Sequence, residues 1–208
     1  HKYSDCDAIG AALGMYFFAE ACGVEAYIAV DSKTTLASPL IEMFEEKGFK
    51  YFISTSKAID MCKDDTVVIV VDTQRKALTE CPDLYDLAGS TIVIDHHRRT
   101  EDYISDADIS YSVPSASSTC EMVSELIQYS TIQDNPSADV ATALFSGIVL
   151  DTKDFVLRTS QRTFEAAGFL RDSGADTVQV KKFFAIDAEM ASIKNEIISN
   201  SKIFNGFM

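Results

Sequence analysis

Apolar residues recur at helical spacing from Asp7 to Cys22, at Ile9, Leu13, Tyr16 and Phe17, and Gly23 follows as a terminator. Ala26 to Val30 then predicts a strand, Pro39 to Lys47 a helix entered through Ser38 as its cap, Tyr51 to Ile53 a short strand, and Ser56 to Cys62 a helical turn. The clearest strands are Val67 to Val71 and Ile92 to Ile94. Both are short, β-branched and apolar throughout, the pattern of strands covered on both faces of a mainly parallel sheet. Each runs directly into an acidic residue. Beyond residue 114 the period becomes helical, over Ser117 to Tyr129, Ser137 to Leu150, Gln161 to Asp172, Thr177 to Phe184 and Asp187 to Lys202. The chain therefore predicts an α/β half followed by a helical half.

Composition sharpens this picture. With 208 residues, 47% of them hydrophobic, the chain can bury a substantial core, which excludes wholesale disorder. Only 4 prolines and 9 glycines occur, and no flexible linker or internal repeat is visible. The formal charge of −14 disfavours a duplex nucleic acid as partner, and any phosphate substrate would need local cations. Five cysteines, at 6, 22, 62, 81 and 120, form an odd set without CxxC spacing, against a disulfide framework or a zinc knuckle and in keeping with a reducing cytoplasm. Cys6 reads as a small buried filler. The apolar stretch Ala8 to Val24 is interrupted by Glu20 and is too short for a membrane span, so no membrane contact is expected from this segment. A start at His1 without an initiator Met suggests a piece of something longer.

Four segments concentrate metal-type side chains. His1, Asp5 and Asp7 fall within seven residues ahead of the first helix, where an Asp-x-Asp pair suits either helix capping or cation binding. Asp72 closes the strand Val67 to Val71, at the strand end where open α/β sheets collect ligands, although a turn-starting Asp has the same position. Asp95, His96, His97, Arg98 and Arg99 close the second strong strand. Asp151 ends an apolar helix, where its charge opposes the helix dipole and calls for a compensating cation. All three histidines of the chain lie in these segments. Imidazoles and carboxylates without a thiolate pair suit Mn²⁺, Fe²⁺, Co²⁺ or Zn²⁺, and the carboxylate share favours Mn²⁺.

Taken together, His-x-x-x-Asp-x-Asp-Ala (His1 to Ala8), Val-Val-Asp-Thr (Val70 to Thr73), Asp-His-His-Arg-Arg (Asp95 to Arg99) and Gly-Ile-Val-Leu-Asp-Thr (Gly147 to Thr152) resemble, in order and spacing, the four motifs of the DHH phosphoesterase superfamily. The segments Ala8 to Gly14, Pro114 to Val123 and Asp151 to Ala167 look most like GdpP-type cyclic-di-AMP phosphodiesterases. This resemblance implies a Rossmann-like, mainly parallel sheet flanked by helices, with a DHH catalytic domain over residues 1–184 and a helical linker over 185–208 toward an absent DHHA1 domain. It implies two divalent ions, with Mn²⁺ first choice: one held by His1, Asp5 and Asp72, the other by Asp7, Asp72, His96 and Asp151. His97 would face the scissile phosphate, Asp95 would orient an imidazole, and Arg98, with Arg99 beside it, would neutralise phosphoryl charge. The implied reaction is hydrolysis of cyclic-di-AMP to linear pApA by in-line attack of a hydroxide that the two metals activate. Action on short oligonucleotides as in nano-RNases, pyrophosphate hydrolysis, and a non-catalytic nucleotide or metal sensor stay open. Implied surroundings are a cytoplasmic position in a membrane-anchored bacterial parent, a cyclic dinucleotide or short oligonucleotide as ligand, a DHHA1 domain and a homodimer.

Overall fold

The computed structural model describes residues 1–185 and 188–201. Helix α1 (Cys6–Ala21) is followed by β1 (Ile28–Ala29), α2 (Ser38–Glu46), β2 (Phe52–Ile53), α3 (Thr55–Met61) and β3 (Val67–Val71). A 3-10 turn (Lys76–Leu78), α4 (Asp83–Leu87), β4 (Ser90–Asp95) and β5 (Ile109–Ser112) complete the α/β part. Helices α5 (Thr119–Tyr129), α6 (Ala138–Thr152), α7 (Gln161–Asp172), α8 (Thr177–Phe183) and α9 (Ala188–Asn200) form the helical part. The residues Asp187 and Lys202, expected to bound the last helix, lie outside the described residues.

All strand pairings among the described residues are parallel: β1 with β2, and β3 with β4 with β5. Register is what matters for the site. Val71 stands opposite Ile94, and the Asp72 amide donates to the Ile94 carbonyl at 3.0 Å, so Asp72 and Asp95 leave neighbouring strands side by side. Burial departs from the expectation of strands covered on both faces. β4 is largely buried, whereas β3 is buried only at Val70 and exposes 52% of Val67. The reason is that β1 and β3 do not pair; their residues line a cavity of about 650 Å³ between the two sheets.

The core lies where α1 packs along α6 and α5, around Leu13, Met122, Leu144, Ile148 and Leu170. Full burial of each such side chain contributes about 1.5–3 kcal/mol. Small residues make the approach possible. A Cβ on Gly10 would meet the Ala143 carbonyl oxygen at 2.5 Å, and one on Gly147 would meet Cys120 Sγ at 2.4 Å.

Helix ends follow capping chemistry. Asp5 caps α1, Ser118 caps α5, Ser137 caps α6, and Ser160 with Thr163 forms a capping box on α7. Gly23, at φ 73°, terminates α1. Ser38 is a correction to the sequence reading: it is the first residue of α2 rather than its cap, and the chain enters through Ala37, whose amide donates to Thr35 Oγ1 at 3.1 Å. Strand β5 and helix α4 carry polar, mixed patterns and were not predicted.

Candidate metal centre

The end of β3 places Asp72 in the middle of the constellation. Asp72 adopts a left-handed backbone, φ 58°, an unfavourable conformation that Asp tolerates better than most residues. Its Oδ2 lies 3.1 Å from His1 Nε2, and its Oδ1 accepts from Thr119 Oγ1 at 3.0 Å. His96 Nε2 is 3.5 Å from the same Oδ1, and His97 Nδ1 is 3.7 Å from it.

Two further groups complete the picture. On one side of Asp72, His1 Nε2 also stands 3.8 Å from Asp5 Oδ1, while Asp5 caps α1 by accepting from the Asp7 and Ala8 amides. Capping uses Oδ1 and leaves Oδ2 available. On the other side, His96 Nε2 is 3.1 Å from Asp151 Oδ2 and 3.9 Å from Asp7 Oδ2. Donor atoms of His1, Asp5 and Asp72, of Asp7, His96 and Asp151, and of Asp72, His96 and His97 each lie within 4.8 Å of one another.

Asp7 is held rigidly. It is 1% exposed, and its two oxygens accept the Thr119 and Cys120 amides at the start of α5, both at 2.8 Å. This uses the free N–H groups and positive end of a helix to steady a buried carboxylate. Burial, together with the charges of Asp72 and Asp151, nevertheless pushes its carboxyl well above the usual range. Asp5 is raised too, chiefly by burial. Burial also raises Asp72, but the His1 hydrogen bond and the neighbouring imidazoles outweigh it and leave the group lowered.

These residues fit divalent cations. Both ring nitrogens of His96 and Asp95 Oδ2 are buried without a hydrogen-bond partner, a costly state that a cation on the imidazole would relieve. Four carboxylates, of Asp5, Asp7, Asp72 and Asp151, share the same small region. The donor groups consist of carboxylates and imidazoles alone, and burial pushes the nearby Cys6 thiol up to about 12.

His97 has a different setting. Its side chain is 54% exposed, and its Nδ1 lies 2.8 Å from Asp95 Oδ1, so the fully buried Asp95 fixes the ring and leaves Nε2 free. The Asp95 hydrogen bond raises the His97 pKa. Arg98 is exposed and makes no hydrogen bond or ion pair among the described residues; it is absent from the lining of the cavity beside His97 and Asp151. Arg99 turns away to Ser110 and the Tyr103 ring. The cations bordering that cavity are Lys153 and Arg158. Sequence reasoning passed over them, and over Thr119 and Cys120, although Ser117-Ser118-Thr119 is a legible helix start.

Comparison with known proteins decides the family. The family profile described as "DHH family, N-terminal domain" matches residues 1–148. The chain belongs to the DHH family. Among curated relatives, this DHH chain is 37% identical over 98% of its length to the cyclic-di-AMP phosphodiesterase GdpP of Bacillus subtilis, covering 32% of that protein. It is 42% identical over 88% of its length to GdpP of Geobacillus thermodenitrificans, covering 28% of that protein. The chain thus spans about a third of these relatives. In fold it resembles an exopolyphosphatase-related protein from Bacteroides fragilis, with TM-score 0.75 and 23% identity over 98% of this chain and 60% of that one. No described helix is long and apolar enough to cross a membrane.

Proposed function

We propose that this DHH chain is the catalytic domain of a two-metal phosphodiesterase that hydrolyses cyclic-di-AMP to linear pApA, with residues 1–184 catalytic and 185–208 a linker. The observation that carries the reading is the central position of Asp72, which faces His1 on one oxygen and Thr119, His96 and His97 on the other. The similarity to GdpP proteins supports the substrate choice. A membrane-anchored parent with a DHHA1 domain, and a homodimer, belong to the same reading.

His1, Asp5 and Asp72 would hold one cation, and Asp7, Asp72, His96 and Asp151 the other, with Mn²⁺ the metal of choice for this donor set. When bound, such a pair supplies Lewis acidity and lowers the pKa of water toward neutrality. The protein supplies the rest. The α5 amides fix Asp7, and Thr119 Oγ1 fixes Asp72, so the carboxylates are positioned before substrate arrives. Asp95 holds His97 Nδ1, orienting Nε2 as a donor to a phosphoryl oxygen or leaving group. The Asp95 bond favours the protonated ring, which suits His97 to present positive charge toward a phosphate.

The test is metal analysis of the purified chain and of Asp72→Ala, with cyclic-di-AMP, short RNA and pyrophosphate offered side by side with Mn²⁺. The expected result is turnover of cyclic-di-AMP by the parent chain, and loss of both metal and turnover in a variant that keeps its circular dichroism spectrum. Normal Mn²⁺-dependent turnover by Asp72→Ala would refute the site, and preference for pyrophosphate or RNA would refute the substrate.

A further inference from the structure

Beside His97 and Asp151 the surface opens into a cavity of about 480 Å³, bordered by Lys153, Arg158, Phe183 and Phe184. Lys153 and Arg158 make no hydrogen bond or ion pair among the described residues, whereas nearby Lys181 pairs with Asp154 and Arg162 with Glu125. The backbone carrying them is unusual. Lys153, Asp154, Phe155 and Arg158 all have positive φ, between 47° and 63°, a conformation that non-glycine residues avoid. It persists because Thr152 clasps the segment. The Thr152 hydroxyl accepts the Phe155 amide, its carbonyl accepts the Val156 and Leu157 amides, and Phe155 stacks on Phe164 at 5.6 Å. Strain of this kind, over-determined by its surroundings, is characteristic of ligand clamps.

The chemistry of the cavity is that of a nucleotide. A cyclic dinucleotide has two phosphates and two bases, and since one phosphodiester is cut at a time, the second phosphate needs a place apart from the reacting one. Lys153 offers a point charge and Arg158 a planar fork for a second phosphate, while Phe183 and Phe184 offer an apolar wall for a base. In a chain of charge −14, two unpaired cations on one cavity rim answer the need for local positive charge. We propose that Lys153 and Arg158 form an anion subsite for the non-reacting phosphate of a dinucleotide, with Phe183 and Phe184 facing its base. This rests on the phosphodiesterase reading above.

The experiment compares the parent chain with K153Q/R158Q, both loaded with Mn²⁺, on cyclic-di-AMP and on bis(4-nitrophenyl) phosphate, which has a single phosphodiester and nothing to place in the subsite. Loss of two charge-assisted contacts is expected to raise KM for cyclic-di-AMP about tenfold or more. Metal content should stay unchanged, kcat/KM for the small diester should stay within about twofold, and R158K should recover part of the loss. Equal losses on both substrates, or no change on either, would overturn the subsite. If the parent turns over neither substrate, the proposed function fails, and equilibrium dialysis of pApA still decides the subsite. Binding about tenfold weaker in the double variant supports it; equal binding by both proteins, or none by the parent, overturns it.

Discussion

Two glycines in helices should respond to the same substitution with opposite sign. On helix propensity alone, Gly→Ala in a helix interior stabilises by about 0.5–1 kcal/mol. Gly168, within α7, has nothing within 4 Å of the position its Cβ would take, so Gly168→Ala should gain that amount. Gly147, within α6, is different: a Cβ there would lie 2.4 Å from Cys120 Sγ, 2.7 Å from Asp7 Oδ1 and 2.8 Å from Asp7 Cα. Two of those three atoms belong to Asp7, including a backbone atom that a side-chain rotation cannot clear. Overpacking at such a site costs about 1–3 kcal/mol, which exceeds the propensity gain. For a chain of this size about 1 kcal/mol shifts Tm by about 2–4 °C. Thermal melts in EDTA should therefore show Gly168→Ala rising by about 1–4 °C and Gly147→Ala falling by several degrees. Because Asp7 must move, Gly147→Ala should also weaken Mn²⁺ binding by about tenfold or more in calorimetry, with Gly168→Ala unaffected. Cys120→Ala added to Gly147→Ala should recover stability only in part, since the Asp7 contacts remain. Gly147→Ala with unchanged Tm and unchanged metal affinity would refute the reasoning.

His97→Ala should keep its metal content in elemental analysis while kcat falls by about 100-fold or more, the usual worth of a positioned proton donor; loss of bound metal would instead make His97 a ligand. Metal affinity should depend on pH in a defined direction. The Asp72 hydrogen bond raises the His1 pKa to about 9, and the ring must lose its proton to coordinate, so Mn²⁺ affinity measured by calorimetry should climb from pH 7 to 9 and level off above. Flat affinity across that window would remove His1 from the site. Mn²⁺ at about 100 times its Kd should add about 2.7 kcal/mol per site, raising Tm by about 5–10 °C over the EDTA-treated chain; an unchanged Tm would mean that the cation does not bind the folded state.

Periodicity made the helical half and the two apolar strands legible, because α5, α6, α7 and α8 keep a helical period and β3 and β4 are unbroken β-branched runs. The short polar strand β5 (Ile109–Ser112) was not, since Ile-Ser-Tyr-Ser has no apolar run and owes its pairing to β4. Nor was the incomplete burial of β3, which depends on β1 standing apart. At the site, the ionisable side chains were legible because His and Asp cluster at strand and helix ends. Their supports were not. Thr119 and Cys120 act through backbone amides and a hydroxyl, and buried Glu121, which accepts from Ser117 and Thr163, looks in the sequence like an ordinary helix glutamate. Lys153 and Arg158 reach the cavity only through a left-handed backbone that no periodicity announces.

Since β3 and β4 run in step, with Val71 opposite Ile94, the chemistry at their tips is addressed by counting residues. Removing one residue from β4 would invert its inward and outward faces. His96 and His97, just beyond the strand end, would exchange sides, and Asp95 would lose the His97 ring that it holds. A frame so dependent on strand length can tolerate changes of side chain along β4 far better than a single insertion or deletion.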